Sequence, residues 1–175
     1  MNRGMLFVLA LALLPASALA QPQEGLSFDG VLAEGHALYL AGDHEGALTK
    51  YQDAKEKDSG NALAYYFVGC AFSALDKAED AVSALNTAAT IAGEKDQSLH
   101  AKALFMIAVL KERSADWDAA KEAWTKYQGF AQTHADATTF VSVAQERLDA
   151  IEKRVKLDAD YQVVRDRTKS VGEEK

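Results

Sequence analysis

The hydrophobic and polar residues of this chain follow a helical pattern along most of its length. No segment alternates apolar and polar residues as a half-buried strand would, and neither proline lies beyond residue 22. Residues suited to ending or capping a helix recur at short intervals, at residues 42–43, 59–61, 75–76, 93, 114–116 and 134–136. The sequence therefore predicts an all-α protein whose consecutive helices pack as antiparallel neighbours across short loops.

Two consecutive stretches of 34 residues, 28–61 and 62–95, repeat the same spacing of small and large residues. Positions 8, 20 and 27 of each stretch are small, and positions 11 and 24 are large. These residues are Gly35, Leu38, Ala47, Tyr51 and Ala54 in the first stretch, and Gly69, Phe72, Ala81, Leu85 and Ala88 in the second. Small residues at positions 8 and 20 let two antiparallel helices approach closely, while the large residues fill the space around the crossing.

This spacing resembles the tetratricopeptide repeat, a helix-pair motif that stacks into a solenoid. A third block, 101–134, follows an insertion at residues 96–100. It matches at positions 8, 20 and 24, which are Ala108, Ala120 and Trp124. Lys111 at position 11 and Tyr127 at position 27 do not fit, so either the first helix is shifted or this is a terminal repeat adapted to a different neighbour. The resemblance implies an antiparallel helix-pair solenoid of about three repeats over residues 28–135.

An apolar stripe with steps of three and four residues predicts a C-terminal helix over residues 136–168. The stripe comprises Phe140, Ala144, Leu148, Ile151 and Val155. Because the last repeat of a solenoid exposes an apolar face, this helix is expected to cap the array. Tyr161 and Val164 extend the stripe past the array, so this end either frays in water or contacts another chain. The polar residues 169–175 are expected to form a disordered tail.

The first twenty residues have the features of a secretory signal peptide. Arg3 precedes an apolar run at residues 5–14, which is too short to span a bilayer. We predict a signal peptide over residues 1–20, cleavage after Ala20, and a linker over residues 21–27. No later segment is apolar enough to cross a membrane, so a periplasmic or secreted location without a membrane span is expected after cleavage.

Charge, cysteine content and missing motifs exclude several classes of function. A net charge of −7 argues against a nucleic-acid partner, and one cysteine excludes a disulfide scaffold or a cysteine-based zinc module. No nucleophile elbow or phosphate-binding glycine motif occurs, and no two histidines lie three to five residues apart. No catalytic residue, metal site or cofactor is therefore predicted. Cys70 is interpreted as a buried free thiol, with an interchain disulfide as the alternative if it is exposed.

The resemblance also implies a concave groove, lined by the first helix of each repeat, that binds a peptide or a helix of a partner. By repeat position, the candidate partner-binding residues are Leu32, His36, Tyr39, Tyr66, Ser73, Phe105 and Arg113. The family's clamp for a C-terminal carboxylate is absent. Its positions hold Leu32, His36 and Leu40 in the first block, and Tyr66, Cys70 and Ala74 in the second. Tyr39 and Tyr66 are the expected anchors, and the alternative is that these rings only pack between helices.

The sequence therefore predicts a non-enzymatic adaptor or scaffold of the cell envelope that binds a protein or peptide partner. The alternative is a self-associating assembly protein, a homo-oligomer that forms through the C-terminal helix.

Overall fold

The computed structural model describes residues 26–134, 137 and 139–173, with side chains as far as residue 168. These residues form seven α-helices and no strand, which confirms the expected all-α helix-pair architecture. The helices are α1 Phe28–Leu40, α2 His44–Lys57, α3 Ala62–Ala74, α4 Ala78–Ala92, α5 Gln97–Arg113, α6 Trp117–Thr133 and α7 Val141–Glu173. The expected signal peptide, residues 1–20, and residues 21–25 of the linker lie outside the described residues.

Each helix packs against the next one along the chain, so that α1–α2, α3–α4 and α5–α6 form three pairs and α7 packs against α6. The first helices of the second and third pairs, α3 and α5, also contact each other. The largest fully buried side chains are Tyr51, Leu85, Leu110, Trp124 and Tyr127. Across the described residues, no helix combines the length and the apolar character that a bilayer span requires.

Short polar side chains begin most of the helices at the loops that the sequence marks. The side chains that accept a hydrogen bond from a backbone N–H of the first turn are those of Ser27, Asp43, Asn61, Asp96 and Asp116. Helix α4 has no such cap, but Glu79 and Asp80 in its first turn complement the positive end of the helix dipole. The helix boundaries are thus set by local sequence.

The loop inside each repeat has one residue with left-handed backbone geometry. These residues are Gly42 with φ of 85°, Asp76 with φ of 59° and Ala115 with φ of 55°. Each is residue 15 of its block and follows the end of the first helix, where this geometry is common. The third block therefore keeps the register of the other two, and its small residues Ala108 and Ala120 are fully buried.

The insertion before the third block becomes helix. Helix α5 begins at Gln97 and has 17 residues, against 13 in each of α1 and α3. Lys111, which does not fit position 11, is half-buried, and the neighbouring Leu110 fills the core instead. Tyr127, the misfit at position 27, is buried, and its hydroxyl accepts a hydrogen bond of 2.8 Å from the backbone N–H of Phe140. The third block is thus a terminal repeat adapted to a different neighbour, the chain that leads into α7.

Helix α7 begins at Val141, five residues after the start expected at residue 136. Phe140 immediately precedes the helix, its N–H donates to the Tyr127 hydroxyl, and its own side chain is 55% exposed. Ala144 and Ile151 are buried in one cluster with Trp124 of α6. The backbone stays helical to Glu173, past the point where the sequence predicts a disordered tail, because each added residue extends an existing hydrogen-bond ladder. Residues 174–175 lie outside the described residues.

The close approach within the first two repeats depends on glycine. A Cβ atom on Gly35 would lie 2.5 Å from Cε1 of Tyr51, and one on Gly69 would lie 2.6 Å from Cγ of Leu85. Both partners are buried large residues of the second helix, so neither has room to move away. Gly129 in α6 differs, because an added Cβ would meet nothing within 4 Å.

We predict opposite stability changes for alanine at these glycines. Gly69→Ala should lower the free energy of unfolding by about 1–3 kcal/mol, because overpacking against Leu85 outweighs the gain in helix propensity. The matched control Gly129→Ala should raise it by up to about 1 kcal/mol, since only the propensity term acts. Urea denaturation followed by circular dichroism measures both, and equal stability of the two variants would contradict the packing role of Gly69.

Candidate functional site

A cavity of about 410 Å³ opens between α1 and α3. Its lining residues are His36, Tyr39, Leu40, Tyr51, Tyr66, Phe67 and Cys70. Three of the expected groove residues, His36, Tyr39 and Tyr66, therefore lie around one space. Leu40, at the end of α1, is 87% exposed at its rim, whereas Tyr51 reaches in from α2 and is 1% exposed. We call this space the aromatic cavity.

Ring contacts fix the side chains of the aromatic cavity. The ring centroids of His36 and Phe67 lie 4.3 Å apart, and those of Tyr51 and Phe67 lie 5.3 Å apart in a stacked arrangement. Tyr66 packs edge-on against Phe67 at 5.4 Å. Nδ1 of His36 lies 2.8 Å from the hydroxyl oxygen of Tyr51, which is hydrogen-bond distance. Because these rings support one another across α1, α2 and α3, the cavity is preformed.

The acidic groups of the aromatic cavity are held neutral. Burial raises the pKa of Tyr51 and of Tyr66 to about 12, with the nearby Cys70 adding to both shifts. Burial also raises the pKa of the Cys70 thiol to about 11, although its hydrogen bond with Tyr66 opposes the shift. The pKa of Tyr39 is raised by burial and then by Cys70. The phenols and the thiol therefore carry no charge near neutral pH.

Two further cavities continue from the aromatic cavity toward α7. A small one of about 100 Å³ shares Tyr66 with the aromatic cavity and is also lined by Lys102, Phe105 and Phe140. A larger one of about 480 Å³ shares Phe105 and lies among α5, α6 and α7. Neighbouring cavities thus share one lining residue, Tyr66 or Phe105, and we call this row of three cavities the groove. It crosses the first helices of all three repeats.

An ion pair closes the α7 end of the groove. Glu112 of α5 accepts a hydrogen bond of 3.0 Å from Nε1 of Trp124 and another of 3.0 Å from Nε of Arg147 on α7. It also pairs with the second terminal nitrogen of Arg147, and this contact raises the pKa of the guanidinium. Val143 of α7 lines the same cavity. Helix α7 therefore forms one wall of the cavity at this end of the groove.

The structure corrects the expectation for Leu32 and specifies the parts of Ser73 and Arg113. Leu32 is 5% exposed, belongs to a buried core cluster built from α1, α2 and α3, and lines none of the three cavities. Arg113 lines the groove but also donates a 3.2 Å hydrogen bond to the backbone carbonyl of Ser73. The same guanidinium lies 3.4 Å from Asp76. Ser73 also lines none of the three cavities, and its observed part is the carbonyl group that accepts this hydrogen bond from Arg113.

Phe105, the remaining candidate residue from the sequence, both packs against the core and lines the groove. Its ring packs edge-on against Trp124 at 5.2 Å and against Tyr127 at 5.3 Å, so it is part of the core. It also lines both of the cavities nearer α7. Tyr39 and Tyr66 are likewise half-buried, so packing between helices and lining the groove are compatible for these rings.

Sequence reasoning missed Tyr51, Phe67 and the residues that α7 contributes. Tyr51 was assigned to the core by its repeat position, yet its ring passes over Gly35 and its hydroxyl reaches the aromatic cavity. The glycine opposite a tyrosine was the available signal. Arg147 and Val143 lie in the expected capping helix, and no repeat position exists for them. Among the described residues, no three His, Cys, Asp or Glu side chains are placed to hold a metal ion.

The fold is similar to several solved helical-repeat structures. The N-terminal domain of stress-induced protein-1 from C. elegans superposes with a TM-score of 0.62 at 20% identity, covering 71% of this chain and 94% of that one. PcrH in complex with the chaperone binding region of PopD gives 0.62 at 21% identity, covering 74% and 96%. The TPR2AB domain of yeast Sti1 in its pHSP90 complex gives 0.64 at 21% identity, covering 78% and 50%.

No protein-family model and no curated protein matches the sequence, so the assignment rests on the fold. The 34-residue spacing, the left-handed residue at the same point of each repeat and the structural likenesses agree with one another. This chain has the tetratricopeptide-repeat fold.

Proposed function

We propose that this protein is a non-enzymatic adaptor that holds a peptide or a helix of a partner protein in the groove. The observation that carries the proposal is the row of three neighbouring cavities that share Tyr66 and Phe105 as lining residues. A preformed apolar trench with a few polar atoms at its edges is the usual form of a peptide-binding surface. Neither Lys nor Asn stands at the carboxylate-clamp positions, so the proposal includes no clamp for a C-terminal carboxylate.

The aromatic cavity favours a bulky apolar side chain of the partner. Its acidic groups are neutral, and its walls are rings and the Leu40 side chain. A partner carboxylate or ammonium group entering it would lose its hydration without gaining a counter-charge. A leucine or an aromatic side chain would instead gain burial, which is worth about 1.5–3 kcal/mol for a fully buried residue.

The middle of the groove favours an acidic residue next to that apolar anchor. Lys102 is exposed beside Tyr66 and Phe105, and no ion pair engages it in the part of the chain that the structure describes. Glu112 is already paired with Arg147, so the negative charge nearest the α7 end is balanced. The groove thus offers a free positive charge, although the chain as a whole is acidic with a net charge of −7.

Two of the similar structures are complexes, and they support a partner-binding role. One contains PcrH with the chaperone binding region of PopD, and another contains a domain of yeast Sti1 with pHSP90. The cell-envelope part of the proposal rests on the sequence of residues 1–20, which has the charge, apolar run and cleavage site of a signal peptide. Mass spectrometry of the protein purified from an envelope fraction tests that part, because cleavage predicts a chain that starts at Gln21.

Self-association through α7 is a second candidate function. The observation in its favour is the exposure of Leu157, Tyr161 and Val164, which are 50%, 63% and 59% accessible. Exposure of such an apolar stripe to water is unfavourable. A protein surface that covers it would therefore stabilise the end of the helix.

Loss of the apolar rim should weaken peptide binding without unfolding the protein. Peptides selected from a random phage-displayed library on the purified protein are expected to share a bulky apolar residue followed by an acidic one. Leu40→Ser should raise the Kd of a selected peptide about tenfold, equivalent to about 1.4 kcal/mol, since it removes an exposed apolar wall. Isothermal titration measures the Kd, and the matched control Leu26→Ser changes an exposed leucine before the opposite end of α1.

Substitution of the two expected anchors, Tyr39 and Tyr66, is the second part of the same experiment. The double substitution Tyr39→Ala and Tyr66→Ala should abolish measurable binding of the selected peptide while circular dichroism stays helical. Unchanged affinity in both Leu40→Ser and the double variant would refute binding in the aromatic cavity. A largely unfolded double variant would show that the rings are core, and the Leu40→Ser comparison would then decide alone.

The Cys70 thiol should report on occupancy of the groove. A pKa of about 11 instead of 9.0 lowers the thiolate fraction about a hundredfold at pH 8, because each pKa unit is a factor of ten. Modification by a disulfide reagent such as DTNB should therefore be about a hundredfold slower than in the urea-unfolded chain. A saturating selected peptide should slow it further, whereas a peptide bound elsewhere on the protein would leave the rate unchanged.

A further inference from the structure

The last part of α7 stands away from the repeats. Ile151 is its last buried residue, and no residue from 152 to 168 is buried. Residues 152–173 extend for about 33 Å at the rise of an α-helix. We call this segment the α7 arm. Its large apolar side chains Leu157, Tyr161 and Val164 are 50%, 63% and 59% exposed, so a protein surface that covered them would remove apolar area from water.

The apolar face of the α7 arm is not the face that caps the repeats. Leu157, Tyr161 and Val164 follow one another at steps of four and three residues and so share one side of the helix. At 100° per residue, this side is turned by about 120° from that of Ile151. Tyr161 and Val164 therefore do not continue the capping stripe of Ile151 but form a second apolar face with Leu157. The arm's stripe has the spacing of a coiled-coil seam.

The charges beside the seam complement a second copy of the same arm. When two arms run antiparallel with Tyr161 of one facing Val164 of the other, Asp158 lies opposite Arg165 of the second copy. Asp160 then lies opposite Arg167 of the second copy, and the two-fold symmetry repeats both pairs. All four facing pairs are therefore of opposite sign. Within one chain Asp158 pairs with Arg154 at 3.3 Å, but both groups are exposed, so this bond is weak and exchangeable.

The flanking charges could form pairs in either a parallel or an antiparallel dimer. The residues of the seam distinguish the two orientations, and they favour the antiparallel one. In a parallel pair the seam position one heptad before Tyr161 would bring Arg154 against Arg154 of the second copy, a like-charge contact. Parallel arms would also leave two repeat domains side by side at the same end of the pair. Antiparallel arms place the domains at opposite ends and let each arm cover the other from its first exposed turn.

We propose that the chain forms a homodimer through an antiparallel pair of α7 arms, with Leu157, Tyr161 and Val164 in the seam. The dimer presents two grooves at opposite ends and so joins two partner segments. The inference rests on the second candidate function and gives it an orientation, and it does not depend on what the groove binds.

Sedimentation equilibrium of the full mature chain, from about 10 µM to about 1 mM, tests the dimer. The wild-type protein should be dimeric within this range, and Tyr161→Asp should raise the dimer Kd more than about a hundredfold because it places a charge in the seam. The matched control Val163→Asp changes an exposed residue beside the seam and should keep the dimer. A wild-type monomer at every concentration would overturn both self-association and its orientation.

Charge exchange tests the orientation separately. Asp158→Arg should raise the dimer Kd about tenfold by setting an arginine against Arg165, and the added change Arg165→Asp should restore it. In a parallel pair the same double variant would instead set the introduced arginine against Lys153 and the introduced aspartate against Asp160, and it would stay weak. A double variant that dimerises like wild type supports the antiparallel arms. A dimer that the double variant fails to restore overturns the orientation while leaving self-association in place.

Discussion

The close approach of paired helices at Gly35 and Gly69 is the contact on which the remaining structure depends. With no side chain at these positions, the second helix of the pair lies against the backbone of the first, and Tyr51 or Leu85 packs directly over the glycine. The same approach creates the aromatic cavity, because the Tyr51 ring passes Gly35 and its hydroxyl meets His36. The same contact therefore serves both the fold and the site. Because Gly35 has no Cβ atom, the Tyr51 ring can pack over it and its hydroxyl can line the aromatic cavity.

The third repeat replaces this arrangement with larger and more polar contacts. Trp124 takes the place of Tyr51 and Leu85, and its indole N–H donates to Glu112, which in turn holds Arg147 of α7. An ion pair between Glu112 and Arg147 thus holds the end of the array, whereas the helices of the first two repeats are held together by packing against a glycine. Because α7 meets α5 and α6 through this link, it completes the groove as well as covering the last apolar face.

Helix α7 has two apolar faces, one in each half of its length. Its first half presents Ala144 and Ile151 to the repeats, and its second half presents Leu157, Tyr161 and Val164 to the surroundings from a different side. A straight helix changes its apolar side only if the sequence changes the phase of the stripe, and here the change falls between Val155 and Leu157. Capping and the exposed seam therefore do not compete for the same residues.

The sequence by itself determined the helices, their caps and the repeat register, because these depend on neighbours within a few residues and on a spacing that recurs. It also pointed to Tyr39, Tyr66 and Phe105, each of which lines at least one of the three cavities, although Leu32, at the same repeat position as Tyr66 and Phe105, does not. Tertiary structure decided what depends on a distant partner: Leu32 is buried in a core cluster that α1, α2 and α3 build together, and Arg113 is held by the Ser73 carbonyl 40 residues away. Such outcomes follow from where two helices cross, which no single helix encodes.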